Sequence, residues 1–324
     1  MIRKLAVALI LASLLTGNVL AEGSSEPEGS FPNDTITVII PFGVGGNLDL
    51  KARLIAQYLE EDLGVPVVVE NKPGAAGIVG SSEFLVDEPT GYQMILLNDG
   101  ALILASLVNG ADFTPADFTP VIGVDTVYSV LLSNPAQTGI TDYDSLVEYG
   151  RENGLVFSSQ GPATVQFMAQ KTLFNELGLS SESLQSASQN EAIAQVLGGS
   201  ADVSVIAETR AATYVEEGEL AAIVNFSNEA MIDYAGMAEL ASVADIGYGE
   251  LSFESFNFLA CKAGVSEDEV DILYEAIAAV YENPAFQEEM AKLAKRPLPI
   301  DGQSVAERVN NARGRIVTMQ ENLQ

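Results

Sequence analysis

Histidine is absent from the 324 residues, and a single cysteine, Cys261, lies inside the apolar run Phe256 to Cys261. The commonest general base and the commonest metal ligand are therefore missing. No Ser–His or Cys–His pair can form to activate a nucleophile, and the glycine-x-serine-x-glycine elbow does not occur. Carboxylates are abundant, 45 Asp and Glu in all, but no spacing among them marks an acid–base pair. The chain reads as a non-enzyme that calls for no cofactor or metal. Cys261 reads as a small buried hydrophobe.

The chemistry that remains belongs to the backbone. In "PFGVGGNLDLKARLIAQYLEEDLG", from Pro41, three glycines (Gly43, Gly45 and Gly46) separate the apolar run Ile36 to Ile40 from a helical pattern. Glycines at a strand-to-helix junction let a ligand approach bare main chain. Neither nucleotide motif fits: the dinucleotide fingerprint needs glycine where Leu48 stands, and the phosphate loop needs a Gly-Lys-Ser/Thr ending. Asn47 is a good helix cap. The first-turn amides, with the helix dipole behind them, favour an anion. Gly45, Gly46 and Asn47 are therefore candidate anion-binding residues. Asp49 is open between two roles, a helix-start acid favoured by the dipole and a ligand contact.

Elements must hold this turn in place. Apolar residues at Leu50, Leu54, Ile55, Tyr58 and Leu59 make the following helix amphipathic. "VPVVVENKPGAAGIVG" repeats the logic, a strand over Val65 to Glu70 running into a second glycine turn and helix. A third strand covers Tyr92 to Asn98. Strand alternating with helix predicts a parallel α/β sheet, with ligands beyond the carboxyl ends of its strands. The pattern restarts downstream. Val121 to Leu132 reads as one long strand crossing between two α/β units, and "LVFSSQGPATVQFMAQKTLFNELG" as strand, turn and helix. Ser188 or Asn190 can cap the next helix, and the chain returns near Asn225. Ser266 with Glu269 and Ser304 with Glu307 read as capping boxes. The crossings are expected near Leu131 and Asn225.

The ends and the charge narrow the setting. Arg3 and Lys4, the apolar run Leu5 to Leu15, and Val19 and Ala21 form a secretory signal peptide over residues 1–21, with cleavage expected after Ala21. Residues 22–32 read as a flexible leader. No cysteine stands near the cleavage point, so a freely soluble periplasmic protein is expected, without membrane insertion. The net charge of −30 repels nucleic acid and anionic lipid headgroups.

The run "ITVIIPFGVGGNLDLKARLIAQYLEEDLGVPVVVENKPGAAGIVG" with "PTGYQMILLN" strongly resembles the tripartite tricarboxylate transporter receptors, the Bug-type solute-binding proteins. A looser likeness runs through "LGGSADV" to "GELAAIVNFS". The resemblance implies a type II periplasmic-binding-protein fold, two α/β lobes with a hinge and a central cleft. The first lobe is expected over 33–131 with 227–324 and the second over 132–226. It also implies a monomeric receptor that holds a small organic acid through main-chain amides and delivers it to membrane permease subunits. The alternative is a ligand-sensing module for a signalling partner. Carried over residue by residue, the site comprises Gly45, Gly46, Asn47 and Asp49, then Gly74, Ala75 and Ala76, then Asn98. From the second lobe it takes Ser159, Gln160, Gly161, Ala163 and Thr164, with Gln189. Three departures bear on the ligand. Ala163 replaces the family's glycine, Phe167 its usual histidine, and Ser186-Ala187-Ser188 its frequent Tyr-Lys-Gly, which removes a basic residue.

Overall fold

The chain builds two sheets of the same design. The computed structural model describes residues 31–162, 164–228, 231 and 235–323. The expected signal peptide and most of the expected leader lie outside them. In chain order the first elements are β1 (Ile36–Ile40), α1 (Asn47–Leu63), β2 (Val67–Asn71), α2 (Ile78–Phe84), β3 (Gln93–Asn98), α3 (Asp99–Leu107) and β4 (Phe118–Val127). Then come β5 (Ser129–Ser133), α4 (Pro135–Thr138), α5 (Tyr143–Asn153), β6 (Leu155–Ser159), α6 (Val165–Glu176), β7 (Ser181–Gln185), α7 (Gln189–Leu197), β8 (Val203–Ala207), α8 (Glu208–Glu216) and β9 (Ala221–Asn225). The chain closes with β10 (Ser255–Lys262), α9 (Glu267–Glu282), α10 (Pro284–Leu293) and α11 (Gly302–Glu321).

The strand orders are β2-β1-β3-β10-β4 and β7-β6-β8-β5-β9. In each sheet the first three strands are parallel, and the fourth is antiparallel to its neighbours. The expected parallel sheets are thus mixed. The fourth strand in each case has just arrived from the other sheet: β5 follows β4, and β10 follows β9. The expected single crossing strand over Val121 to Leu132 is two strands, broken at Tyr128. The crossing falls at Tyr128, because Leu131 is already paired within the second sheet, to Val205 and Val224.

Inner strands are buried along their length because helices cover both faces. β5 is buried at every residue, whereas the edge strands β2 and β7 alternate or stay exposed. One apolar cluster runs from Ile39, Ile95 and Phe258 in the first sheet to Phe157, Val203 and Val224 in the second. Residues 34–324 accordingly form one compact unit. Cys261 is fully buried, and burial pushes its thiol up to about 12.

Two helices differ from the sequence reading. In α1 the buried face is Ala52, Ile55, Ala56 and Leu59, with Leu54, while Leu50 is 44% exposed. The helix is rotated so that Lys51 reaches Asp125 of β4 in a buried ion pair, with Asn257 donating to the same carboxylate. In α11 the cap is Asp301, which accepts from the Ser304 amide at 2.8 Å. The helix thus begins before the expected Ser304–Glu307 box. Gly302 allows it: a Cβ there would lie 2.1 Å from the Pro120 carbonyl oxygen. Ser266 caps α9 as expected.

Candidate functional site

The loops at the carboxyl ends of the parallel strands carry most of the candidate residues. Gly46, not Asn47, stands at the cap of α1, with extended backbone and no side chain to offer the first turn. The reason lies one turn on. Asp49 bends back to accept the Gly45 amide at 2.8 Å, while Gly45 turns through φ +77°. The Asp49 carboxylate also accepts from Asn71 at 3.0 Å and pairs with Arg53 at 2.9 Å, and it is 1% exposed. Burial pushes its pKa upward, but Arg53, the Gly45 amide and Asn71 outweigh that and hold it below the ordinary value. In this conformation Asp49 spends its charge on the loop. The Gly46 amide turns to the Gly43 carbonyl at 3.3 Å. The first-turn amides of Asn47, Leu48 and Asp49 have no intrahelical acceptor and no side-chain cap.

The second loop stores strain. Gly74, Ala75, Ala76 and Gly77 all have positive φ, at 151°, 44°, 54° and 99°. Two alanines in the left-handed region cost roughly 1–2 kcal/mol each. Packing enforces the cost. A Cβ on Gly80 would lie 2.5 Å from the Lys72 carbonyl oxygen and 2.9 Å from the Pro41 Cα, so the two loops touch backbone to backbone. Ala75 and Ala76 remain exposed.

Asn98 closes the third loop. Its Oδ1 accepts the Ala101 amide at 3.1 Å as the cap of α3, and its Nδ2 donates to Ser255 at 2.7 Å and Asn257 at 3.0 Å.

In the second half mostly neutral groups hold the loops, although the Glu191 carboxylate accepts the Ala187 amide at 2.7 Å. Thr164 caps α6 and donates to the Gly161 carbonyl at 2.8 Å. Ser159 accepts the Gly161 amide at 3.3 Å, and its carbonyl accepts the Ser186 amide at 2.9 Å. Gly161 turns through φ +103°, Gln160 is exposed, and Ala163 lies outside the described residues. Ser188 takes the cap of α7, and Gln189 accepts the Ala207 amide at 3.1 Å, tying two loops together. The Ser186 hydroxyl is buried without a partner.

Where the halves meet, a cavity of about 180 Å³ joins some of these residues. Ala76, Asn98 and Thr164 stand on its wall; Gly45, Gly46, Asn47, Gly161 and Gln189 do not. Leu104, Val165, Phe253 and Ile316 make much of the lining apolar, and Asp99, Glu254 and Arg315 bring charge. Asp99 is 2% exposed. Burial raises it to about 7, against the opposing pull of the Phe256 and Gly100 amides and Arg315. The Nε of Arg315 is buried without a hydrogen-bond partner. Such an orphan donor costs about 1–3 kcal/mol or more. Sequence reasoning missed Arg315, which lies far down the chain from every glycine turn. A faint signal exists: Arg308, Ala312, Arg315 and Met319 follow helical spacing, so both arginines border the buried stripe. Among the described residues no cluster of three or more His, Cys, Asp or Glu could hold a metal. No described helix is long and apolar enough to cross a membrane.

Two mixed five-stranded sheets that exchange their fourth strands define a type II periplasmic-binding-protein fold. The sequence profile described as tripartite tricarboxylate transporter family receptor, TctC, matches residues 51–323, and the chain belongs to that family. It is 24% identical over 301 residues to protein BugT of Bordetella pertussis, covering 90% of this chain and 89% of that one. A Rhodopseudomonas palustris protein solved with adipate superposes with a TM-score of 0.72 at 20% identity, over 90% of this chain and 98% of that one. MatC from the same organism, solved with bound malate, gives 0.67 at 21% identity, over 88% and 100%. The protein is thus a solute-binding receptor of a periplasmic binding-protein family, and not an enzyme.

Proposed function

We propose that the receptor captures a small carboxylate in a cleft between two lobes, residues 33–131 with 227–324 and residues 132–226, and passes it to a membrane permease of the tripartite tricarboxylate type. Binding takes place in the periplasm, after a signal peptide is cleaved behind Ala21, and the receptor works as a monomer. The observation that carries the reading is the contrast among helix starts. α3, α6 and α7 are capped by their own Asn98, Thr164 and Ser188, whereas α1, like the shorter α2 and α8, has no side-chain cap, and at 17 residues it is the longest of the three, with its first-turn amides of Asn47, Leu48 and Asp49 open. An anion completes that turn, with the dipole in its favour. The adipate and malate held by the two R. palustris structures are carboxylates of the expected size.

The Gly46→Val variant tests the reading. A side chain at position 46 begins 3.2 Å from the Gly43 carbonyl oxygen and crowds the open amides. Gly46 has φ −72°, so the change imposes no left-handed strain of its own. Hydrogen bonds to a charged group are worth roughly 1.5–3 kcal/mol each. Titration calorimetry with adipate and malate is expected to show binding weakened by about tenfold to several-thousandfold, with a cooperative melt retained. Unchanged affinity places the carboxylate elsewhere.

A further inference from the structure

The cavity between the starts of α3 and α6 and the later turns of α11 contains a cation, Arg315, whose charge is felt by Asp99 but which pairs directly with no acid among the described residues. Arg315 has no ion pair within 4.0 Å among the described residues, and its Nε is buried without a partner. The acids nearby are engaged elsewhere. Glu254 accepts from Ser227 at 3.0 Å and pairs with Arg308 at 3.4 Å. Asp99 accepts the Phe256 amide at 3.0 Å, with Ser255 at 3.5 Å. Arg296, from the same C-terminal segment, differs in its pairing: it meets the buried Glu208 directly, although its Nε and Nη2 are also buried without partners. The cavity also reaches the candidate cleft, since Ala76 of the strained turn and Thr164 of the α6 cap are on its wall. At about 180 Å³ it is smaller than the roughly 300–1,000 Å³ of a whole ligand site, a size suited to one end of a ligand.

We infer that this cavity is a second subsite, in which Arg315 receives the far anionic group of a linear aliphatic dicarboxylate. Leu104, Val165, Phe253 and Ile316 cover its methylenes. The inference rests on the proposed binding of a first carboxylate at the start of α1. Arg315 is then the specificity-determining residue. A guanidinium with a free, desolvated donor favours a second carboxylate, while the apolar wall favours a carbon chain over a hydroxylated one.

The test is titration calorimetry with chain-matched acids of four to eight carbons, diacids against monoacids, such as adipate against hexanoate. The parent is expected to prefer the diacid by about tenfold to 150-fold, the equivalent of one hydrogen bond to a charged group. Arg315→Gln is expected to lose that preference and keep its monoacid affinity, and Arg315→Lys to recover part of it. If Arg315→Gln does not melt cooperatively, Arg315→Met, which keeps the bulk and removes the charge, replaces it with the same expectation. A diacid preference that survives in the variant, or a parent with no such preference, overturns the subsite and leaves the first carboxylate site standing. A parent that binds no carboxylate in the series overturns both. Gly46→Val separates the two sites, since it weakens monoacids and diacids alike.

Discussion

Two buried acids occupy matching places in the two halves and have opposite fates. Asp99 opens α3 after β3, and Glu208 opens α8 after β8; each strand is third in its sheet. Both sit at a helix start, where the dipole favours a carboxylate. Glu208 is fastened to the crossing. Arg296 pairs with it and lies 4.0 Å over the ring of Tyr128, the residue between β4 and β5. The Glu208 amide donates to the Tyr128 carbonyl at 2.9 Å. Burial pushes the Glu208 pKa up and Arg296 pulls it back, with a net rise. Asp99 has no such partner, and burial carries it to about 7. One topology thus gives a closed, ion-paired joint where the chain crosses and an open joint beside a cavity. The difference comes from where the C-terminal segment lays its arginines.

Breaking the closed joint carries the largest expected effect. Arg296→Met leaves Glu208 buried and uncompensated, which costs about 3–5 kcal/mol. Denaturant unfolding is expected to show this loss, and a second change, Glu208→Leu, to recover most of it. A loss of under about 1 kcal/mol would mean the pair does not hold the crossing.

The open joint is expected to respond to pH. Asp99 titrates at 3.8 when unfolded and at about 7 when folded. Between those values the native state holds a proton that the unfolded state has lost. Its contribution is therefore full below 3.8 and lost as pH rises through about 7. Asp99→Asn is expected to flatten this part of the stability curve and to gain on the order of 1 kcal/mol at pH 8. A variant with the parent's slope sinks the assignment.

The smallest effect concerns the loops after the matching edge strands, β2 and β7. In the first half this loop is the left-handed turn at Ala75 and Ala76; in the second, Ser188 is extended and caps α7. Ala76→Gly relieves roughly 1–2 kcal/mol of strain and adds about 0.5–1 kcal/mol of backbone entropy cost. A net gain of about 0.5 kcal/mol is expected in thermal unfolding. A loss would show that the alanine methyl does more than the strained backbone costs.

Much of this was legible early because it depends on local pattern. The strand–glycine–helix alternation placed both cleft loops of the first half and identified the family. The zero histidine count ended the search for common catalytic machinery. The misses have physical causes. Asn47 is a better cap than glycine by type, yet Asp49 reaches back to Gly45 and settles the loop first. Leu50 fits the helical stripe, but the helix turns to bury Lys51 against Asp125, a partner 74 residues away.

The sequence by itself determined the place of the glycine turns, which follows from short-range spacing, and the class of protein, through the family resemblance that those turns carry. Only the tertiary structure decided which amides remain open, that Asp49 is spent on its own loop, and that the second and third loops meet a C-terminal arginine. Those outcomes depend on distances between segments remote along the chain. Such distances are set by how the sheets exchange strands and how α11 lies against α3 and α6, and no local propensity encodes them.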